Sequence, residues 1–354
     1  IGFGLQDFAQ KVIFEYDDIR GEPHAVIAAN INPYLIDGPD VVLQRRSMPI
    51  CDVPEIGIGN KPIDDGNYLF TQDERDEFLK LEPDARKYFR RWLGADEFIN
   101  GYERWCLWLG DCPPDELRRM PHALSRVEAV RKFRAASKSA PTRKLASNPT
   151  RFHVEFMPDA PYMVIPEVSS ERRAYIPFGF LPSETLASNK LRLLPQAGLY
   201  EFGVLTSNIH MAWVRYTTGR LKSDYQYSIS IVYNNFPWPE SPTDKQRDAI
   251  ETAAQAVLDA RAQFPDASLA DLYDPLTMPP ALVKAHQKLD AAVDAAYGKR
   301  GFKNDAERVA FLFALYQRYT SLLPSATKPR RGHRMTLAAD IAKRRRNVVR
   351  EPAR

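Results

Sequence analysis

The chain has 354 residues, a net charge of +4 and a composition of 44% hydrophobic and 27% charged residues, enough for two or three modest domains with real cores. No apolar run approaches the ~20 residues that a membrane span requires. No signal segment is visible, and three cysteines (Cys51, Cys106, Cys112) are too few, and odd in number, for a disulfide framework. These features point to a reducing, cytoplasmic setting with no membrane partner. The five residues between Cys106 and Cys112 do not make a zinc spacing.

In chain order, Ile1-Gly2-Phe3-Gly4 reads as a strand with no partner before it, as if the sequence began inside a longer protein. Val12-Ile13-Phe14, Val26 to Ala29 and Val41-Val42-Leu43 are further strand candidates. Asp73 to Leu81, Arg86 to Leu93 and Leu124 to Ser137 read as helices. On the last, Arg131, Arg134 and Lys138 share one face by their spacing of three and four. Arg151 to Met157, Tyr162 to Val168 and Ala174 to Phe178 read as strands, and Tyr200 to Tyr216 as one amphipathic helix. Tyr225 to Val232 is β-rich.

Asn235-Phe236-Pro237-Trp238-Pro239 is a stiff exit that neither a helix nor a central strand can continue. Thr243 and Gln246 form a capping-box pattern, opening a helix with Ile250, Ala253, Ala254, Val257 and Leu258 at core spacing. A second helix runs from about Pro280 to Tyr297 and stops at Gly298, and a third is capped by Asn304 with Glu307 and reaches about Tyr319. The chain is thus expected to be α+β, with a mixed α/β part, a small C-terminal helical domain and a basic, disordered tail.

The charge is unevenly placed. Residues 326 to 354 hold ten Lys/Arg against Asp340 and Glu351, leaving the remainder near −4. Arg118 to Arg151 holds ten more against Glu128 alone. Clustered basic charge is the footprint of a polyanion partner.

A complete catalytic centre is missing. There is no glycine-rich phosphate loop, no HExxH and no G-x-S-x-G, and the six histidines have no ligand spacing. Asn32-Pro33-Tyr34 and Asn234-Asn235-Phe236-Pro237 only approximate the Asn-Pro-Pro-Tyr/Phe loop that grips a flipped base, and both read as turns.

Two segments combine Arg or Lys with hydroxyls and carboxylates, namely Val164 to Pro177 and Gly219 to Ser228. DNA readers use this set: Arg forks onto guanine, Glu or Asp accepts from cytosine, and Ser, Lys and backbone groups hold phosphates. Two polar surface loops with internal ion pairs would have the same composition, and the residues alone leave both readings open.

The order of Ile1 to Gly4, Asn30 to Leu35, Gly59 to Gly66, Ser169 to Pro177, Gly219 to Ser228 and Tyr233 to Pro239 resembles the region after the catalytic domain in MmeI-type restriction–modification enzymes. That family joins a nuclease, an N6-adenine DNA methyltransferase and a target recognition domain in one chain. The resemblance implies that residues 1–35 are the last methyltransferase strands, 36–240 the target recognition domain, 241–325 the C-terminal helical domain and 326–354 a tail. It further implies sequence-specific recognition of double-stranded DNA, with Glu171, Arg172, Arg173, Arg215, Thr217 and Asp224 as base readers. Arg220, Lys222, Ser223 and Tyr227 would touch phosphates. S-adenosylmethionine, and Mg for cleavage, would be held by methyltransferase and nuclease domains of the same polypeptide, leaving no catalytic residue or metal site here. The alternative is a nucleic-acid- or protein-interaction scaffold working through the tail.

Overall fold

The computed structural model describes residues 10–16 and 21–321. The expected strand at Ile1 and the basic segment 326–354 lie outside them. The first two strand candidates form and pair, β1 (Lys11–Glu15) antiparallel to β2 (His24–Ala28), with Lys11 opposite Ala28. Val41-Val42-Leu43 is not a strand. Its alternation is real, since Val41 and Leu43 are buried and Val42 is exposed, but no strand lies alongside. Instead the Leu43 N–H donates to the Tyr34 hydroxyl at 3.1 Å.

After β3 (Gly57–Ile58) and β4 (Leu69–Phe70) comes α1 (Gln72–Leu81), opened by a reciprocal Thr71–Glu74 capping box. The helix expected over Arg86 to Leu93 does not form. Pro83 starts a 3₁₀ turn that ends at Tyr88, and Phe89–Leu93 extends as β5. The segment Phe-Arg-Arg-Trp-Leu suits a pleated surface, and pairing with neighbouring strands decides the outcome. There follow α2 (Ala95–Asn100), β6 (Arg104–Leu107), α3 (Pro114–Arg118), α4 (Pro121–Ala135) and α5 (Ala140–Lys144).

Arg151 to Met157 is also not a strand. Only Val154 bridges to Lys61, and the Asn60 carboxamide takes the place of a partner, accepting from Phe156 N–H at 2.7 Å and donating to Phe156 O at 3.0 Å. Next are β7 (Tyr162–Pro166), β8 (Val168–Ser169), β9 (Gly179–Leu181), β10 (Thr185–Ala187) and β11 (Leu191–Leu194). One sheet has the order β10-β5-β6-β4, with β10 parallel to β5, and a second, antiparallel sheet has the order β3-β11-β7-β9. The first sheet packs on α1 and α4 around Phe70, Phe78, Trp92, Trp108, Val127 and Phe152.

The single helix expected over Tyr200 to Tyr216 is two, α6 (Leu199–Thr206) and α7 (Asn208–Thr217). At Ser207 the backbone is extended, and its hydroxyl donates back to Val204 O at 2.7 Å, a local bond that competes with helix continuation. The β-rich run from Tyr225 is shorter than expected. A hairpin of β12 (Gly219–Leu221) and β13 (Asp224–Gln226) ends there, and Ser228 caps a π-helical turn over Ile229–Tyr233.

The three expected C-terminal helices form, α8 (Asp244–Ala262) with the Thr243–Gln246 box, α10 (Pro280–Ala296) and α11 (Asp305–Ser321), and a short α9 (Leu269–Leu272), capped by Ser268, lies between the first two unforeseen. Gly298 stops α10 at φ 73°. Asn304 Oδ1 accepts from Glu307 N–H at 2.9 Å, completing the expected cap of α11. The fold is thus mixed α and β followed by helices. One hydrophobic core runs through both parts, including Phe178, Phe202, Trp213, Phe236, Ile250, Leu289 and Phe313.

Candidate nucleic-acid interface

The two segments singled out for their polar composition, far apart in sequence, meet in one sheet of order β12-β13-β8. Tyr225 lies opposite Ser169 and Gln226 opposite Val168, and the pairing is extended by a 2.7 Å bond from Tyr227 N–H to Glu167 O. The hairpin turns in two residues, Lys222 and Ser223, with Lys222 at φ 57°, a conformation that tight hairpin turns demand. A second turn, Ser170 to Arg173, leaves the end of β8 beside it. The turns touch: Glu171 N–H donates to Asp224 Oδ1 at 3.4 Å, and the Tyr225 hydroxyl donates to Glu171 O at 3.2 Å.

Glu171, Arg172, Arg220, Lys222 and Ser223 are exposed on this surface, and Asp224 is half-buried. The Arg220 guanidinium lies 4.2 Å from the Tyr225 ring centre, donates to Ser223 O at 2.9 Å and sits 3.9 Å from the Glu171 carboxylate. These contacts hold its fork near the turn at little cost in rotamer freedom. Arg173 is half-buried and donates to Ser169 Oγ at 3.3 Å; burial lowers its guanidinium pKa, against the pull of Asp224 and Asp274.

The other three sequence candidates lie directly behind these turns, with their side chains bonded inward. Thr217 is buried and its hydroxyl donates to Trp213 O at 2.7 Å, a helix back-bond. Tyr227 is 1% exposed, with its hydroxyl 3.0 Å from His210 Nε2. Arg215 bonds Asp305 Oδ2 at 2.6 Å and Ala174 O at 2.7 Å. Its guanidinium thereby ties α7 to α11 and to the chain after the Glu171 turn.

Family models match "MmeI, target recognition domain" over residues 37–240 and "MmeI, C-terminal domain" over residues 242–324. The chain belongs to the MmeI family. A solved structure of the type IIL restriction–modification enzyme MmeI in complex with DNA matches with a TM-score of 0.85 and 51% identity, over 90% of this chain and 42% of that one. "DNA methyltransferase A" of Bacillus subtilis (strain 168) is 38% identical over 320 residues, 90% of this chain and 36% of the relative. The chain therefore spans less than half the length of either.

Within this MmeI target recognition domain, the basic run Arg118 to Arg151 is partly structural. Arg134, placed by spacing on one face with Arg131 and Lys138, is fully buried while those two are exposed. Its five N–H groups reach the carbonyls of Pro62, Ile63, Leu145, Asn148 and Arg151 at 2.8 to 3.1 Å. Arg126 lies 4.2 Å from the Phe70 ring centre and donates to Asn67 O. Arg131, Lys132, Lys138 and Lys144 remain exposed.

Both look-alikes of a base-gripping loop are consumed in turns. Asn32 Oδ1 accepts from Tyr34 N–H at 2.9 Å. Buried Asn235 donates to the carbonyls of Gln44, Ser230 and Ile231 and accepts from Arg46 Nε. Among the described residues no His/Cys/Asp/Glu group could hold a metal.

Sequence reasoning missed the polar network behind the Glu171 turn. The Tyr175 hydroxyl donates to Asp290 Oδ2, and Asn208 N–H at the start of α7 donates to Asp290 Oδ1, both at 2.7 Å. Burial pushes the Asp290 carboxyl up to about 6, against the pull of these two donors. Its signal was available: His286, Asp290 and Asp294 recur every four residues, a polar stripe on a helix that otherwise buries Leu282, Leu289 and Val293.

Proposed function

We propose that this chain is the DNA-recognition end of a longer restriction–modification enzyme that methylates adenine N6 in double-stranded DNA. The β8–β13–β12 surface is the reading element. The observation that carries this is the convergence of Glu171, Arg172, Arg173 and Asp224 with Arg220, Lys222 and Ser223 at one end of a three-stranded sheet inside a target recognition domain. Forked Arg and carboxylate side chains have the chemistry for base edges, and Lys222, Ser223 and Arg220 for phosphates. Thr217, Arg215 and Tyr227 serve this surface from behind.

S-adenosylmethionine, and Mg for cleavage, belong to methyltransferase and nuclease domains elsewhere in the polypeptide. The described residues gather no His/Cys/Asp/Glu cluster that fits the metal, and the asparagines of both look-alike loops, which would have to grip a flipped base, are spent on their own turns. The hairpin β1–β2 supports a continuation into such a domain. Val12, Phe14 and Ile27 are 42%, 60% and 66% exposed, and a two-stranded ribbon with bare apolar residues is not stable alone. The setting is the cytoplasm.

Duplex binding at several salt concentrations tests the reading. Affinity should fall steeply with salt as counterions are displaced. Arg172→Ala should cost about 1–3 kcal/mol and relax the preference at one base position, whereas Lys222→Ala should weaken all duplexes alike and lower the salt slope by about one. A chain, joined to its catalytic domains, that binds no duplex at low salt would refute it.

A further inference from the structure

The turn Ser170 to Arg173 is held at two ends. At one end β8 pairs with β13. At the other, residues 174–178 run as a strap with no strand partner, expected to be a strand but fastened instead by side chains from the C-terminal helices. Three of these fastenings are specific. Asp290 of α10 accepts from the Tyr175 hydroxyl while the Tyr175 ring stacks on His286, with centroids 4.0 Å apart and planes 20° apart. Asp305 of α11 holds Arg215, whose second arm donates to Ala174 O. Arg261 of α8 donates to Phe178 O at 2.6 Å and to the Tyr273 hydroxyl. The Tyr273 hydroxyl in turn lies 2.8 Å from His286 Nε2.

We propose that the C-terminal helical domain sets where the Glu171–Arg173 side chains stand, and so which bases they accept, through Asp290 and Asp305 acting on the strap as positioning residues. This rests on the recognition reading above. The geometry favours positioning over general cohesion. Asp290 spends one oxygen on the strap and the other on the N-terminus of α7, and Arg215 on α7 holds the strap carbonyl two residues after Arg172. A bidentate base contact tolerates little displacement, so a shift of the strap changes discrimination before it changes phosphate binding.

The test uses the full polypeptide and a library of duplexes with a randomised central segment, sequenced before and after capture. Tyr175→Phe keeps the ring on His286 and removes only the hydroxyl, and Asp290→Asn keeps the shape of the acceptor. Tyr297→Phe is the control. It removes a comparable bond to Pro237 O, 2.8 Å, in the same helical part but off the strap.

We expect Tyr175→Phe and Asp290→Asn to lose about tenfold or more in discrimination at the bases facing Glu171–Arg173. Total duplex binding should change far less, and Tyr297→Phe should keep the parent's preference even where its melting temperature falls as much. Unchanged base preference in both strap variants, with duplex binding intact, would overturn the proposal. A parent with no base preference at all would remove the recognition reading and this proposal with it.

Discussion

Replacing Arg134 by Met removes all five guanidinium donors while keeping most of the side chain's apolar volume. In the folded chain those donors satisfy five carbonyls from residues 62–63 and 145–151 in a fully buried setting. Met donates to none of them, so five carbonyls lose their donor, and removing one side of a buried charged network costs about 3–5 kcal/mol, a large part of a typical domain's stability. Urea unfolding followed by tryptophan fluorescence reads it directly, because Trp92 and Trp108 lie in the same core. Arg134→Lys should fall between, since an ammonium offers three donors for five acceptors. Lys132→Met and Lys138→Met, on the exposed side, should stay within about 0.5 kcal/mol. An Arg134→Met chain as stable as those two would mean that the buried guanidinium does no more than a surface charge, and the structural reading of this arginine would fall.

Gly203→Ala should destabilise the chain by about 1–3 kcal/mol, because an added Cβ would lie 2.6 Å from Ile250 Cγ2 and 3.3 Å from Leu289 Cδ1; a thermal melt unchanged from the parent would contradict that packing. Acid should weaken the fold early. Burial holds His210 down to about 3 and His286 well below its ordinary value, so the unfolded chain takes up their protons first. Their contribution is present above about pH 6.5 and is lost as pH falls, by about 1.4 kcal/mol for His210 at pH 5.5, with His286 acting in the same direction. Asp290, raised by burial to about 6, opposes this by just under about 1 kcal/mol over the interval from pH 7 to 5.5, because its folded form is protonated first. Urea midpoints should therefore drop between pH 7 and 5.5, and the drop should shrink in His210→Asn; a flat profile in the parent would refute it. Deleting residues 326–354 should lower nonspecific duplex affinity and its salt slope while leaving base preference as it was, and a capture-and-sequencing assay that showed preference vanishing with the tail would favour the scaffold alternative.

The helix caps were legible in the sequence because they are local. Thr243 with Gln246 and Asn304 with Glu307 each need only neighbours three residues away. The strap was not legible, because its fastenings come from Arg215, Arg261 and Asp290, which are distant in the chain. Arg131 and Arg134 look alike as letters, and only the arrival of five carbonyls from elsewhere makes one of them structural. At the interface, composition identified both polar segments, while their pairing through β8 and β13 depends on tertiary contact. Part of the site could have been read more closely. In Asp224-Tyr225-Gln226-Tyr227 the tyrosines alternate, so both face inward, which removes Tyr227 from any surface role.

The hydrophobic core that passes from Phe202 and Trp213 into Ile250, Leu289 and Phe313 bears on how specificity could be transplanted. A graft cut at Pro239 would give the recipient a recognition half whose inner surface was shaped by foreign helices. Gly203 would meet a residue other than Ile250, and Tyr175 and Arg215 would have to find new carboxylates. A chimera that carries residues 36–321 as one block keeps those matched faces together. If the proposed reading surface holds, finer changes are better confined to the Glu171 and Lys222 turns, which can be rewritten without reopening that seam.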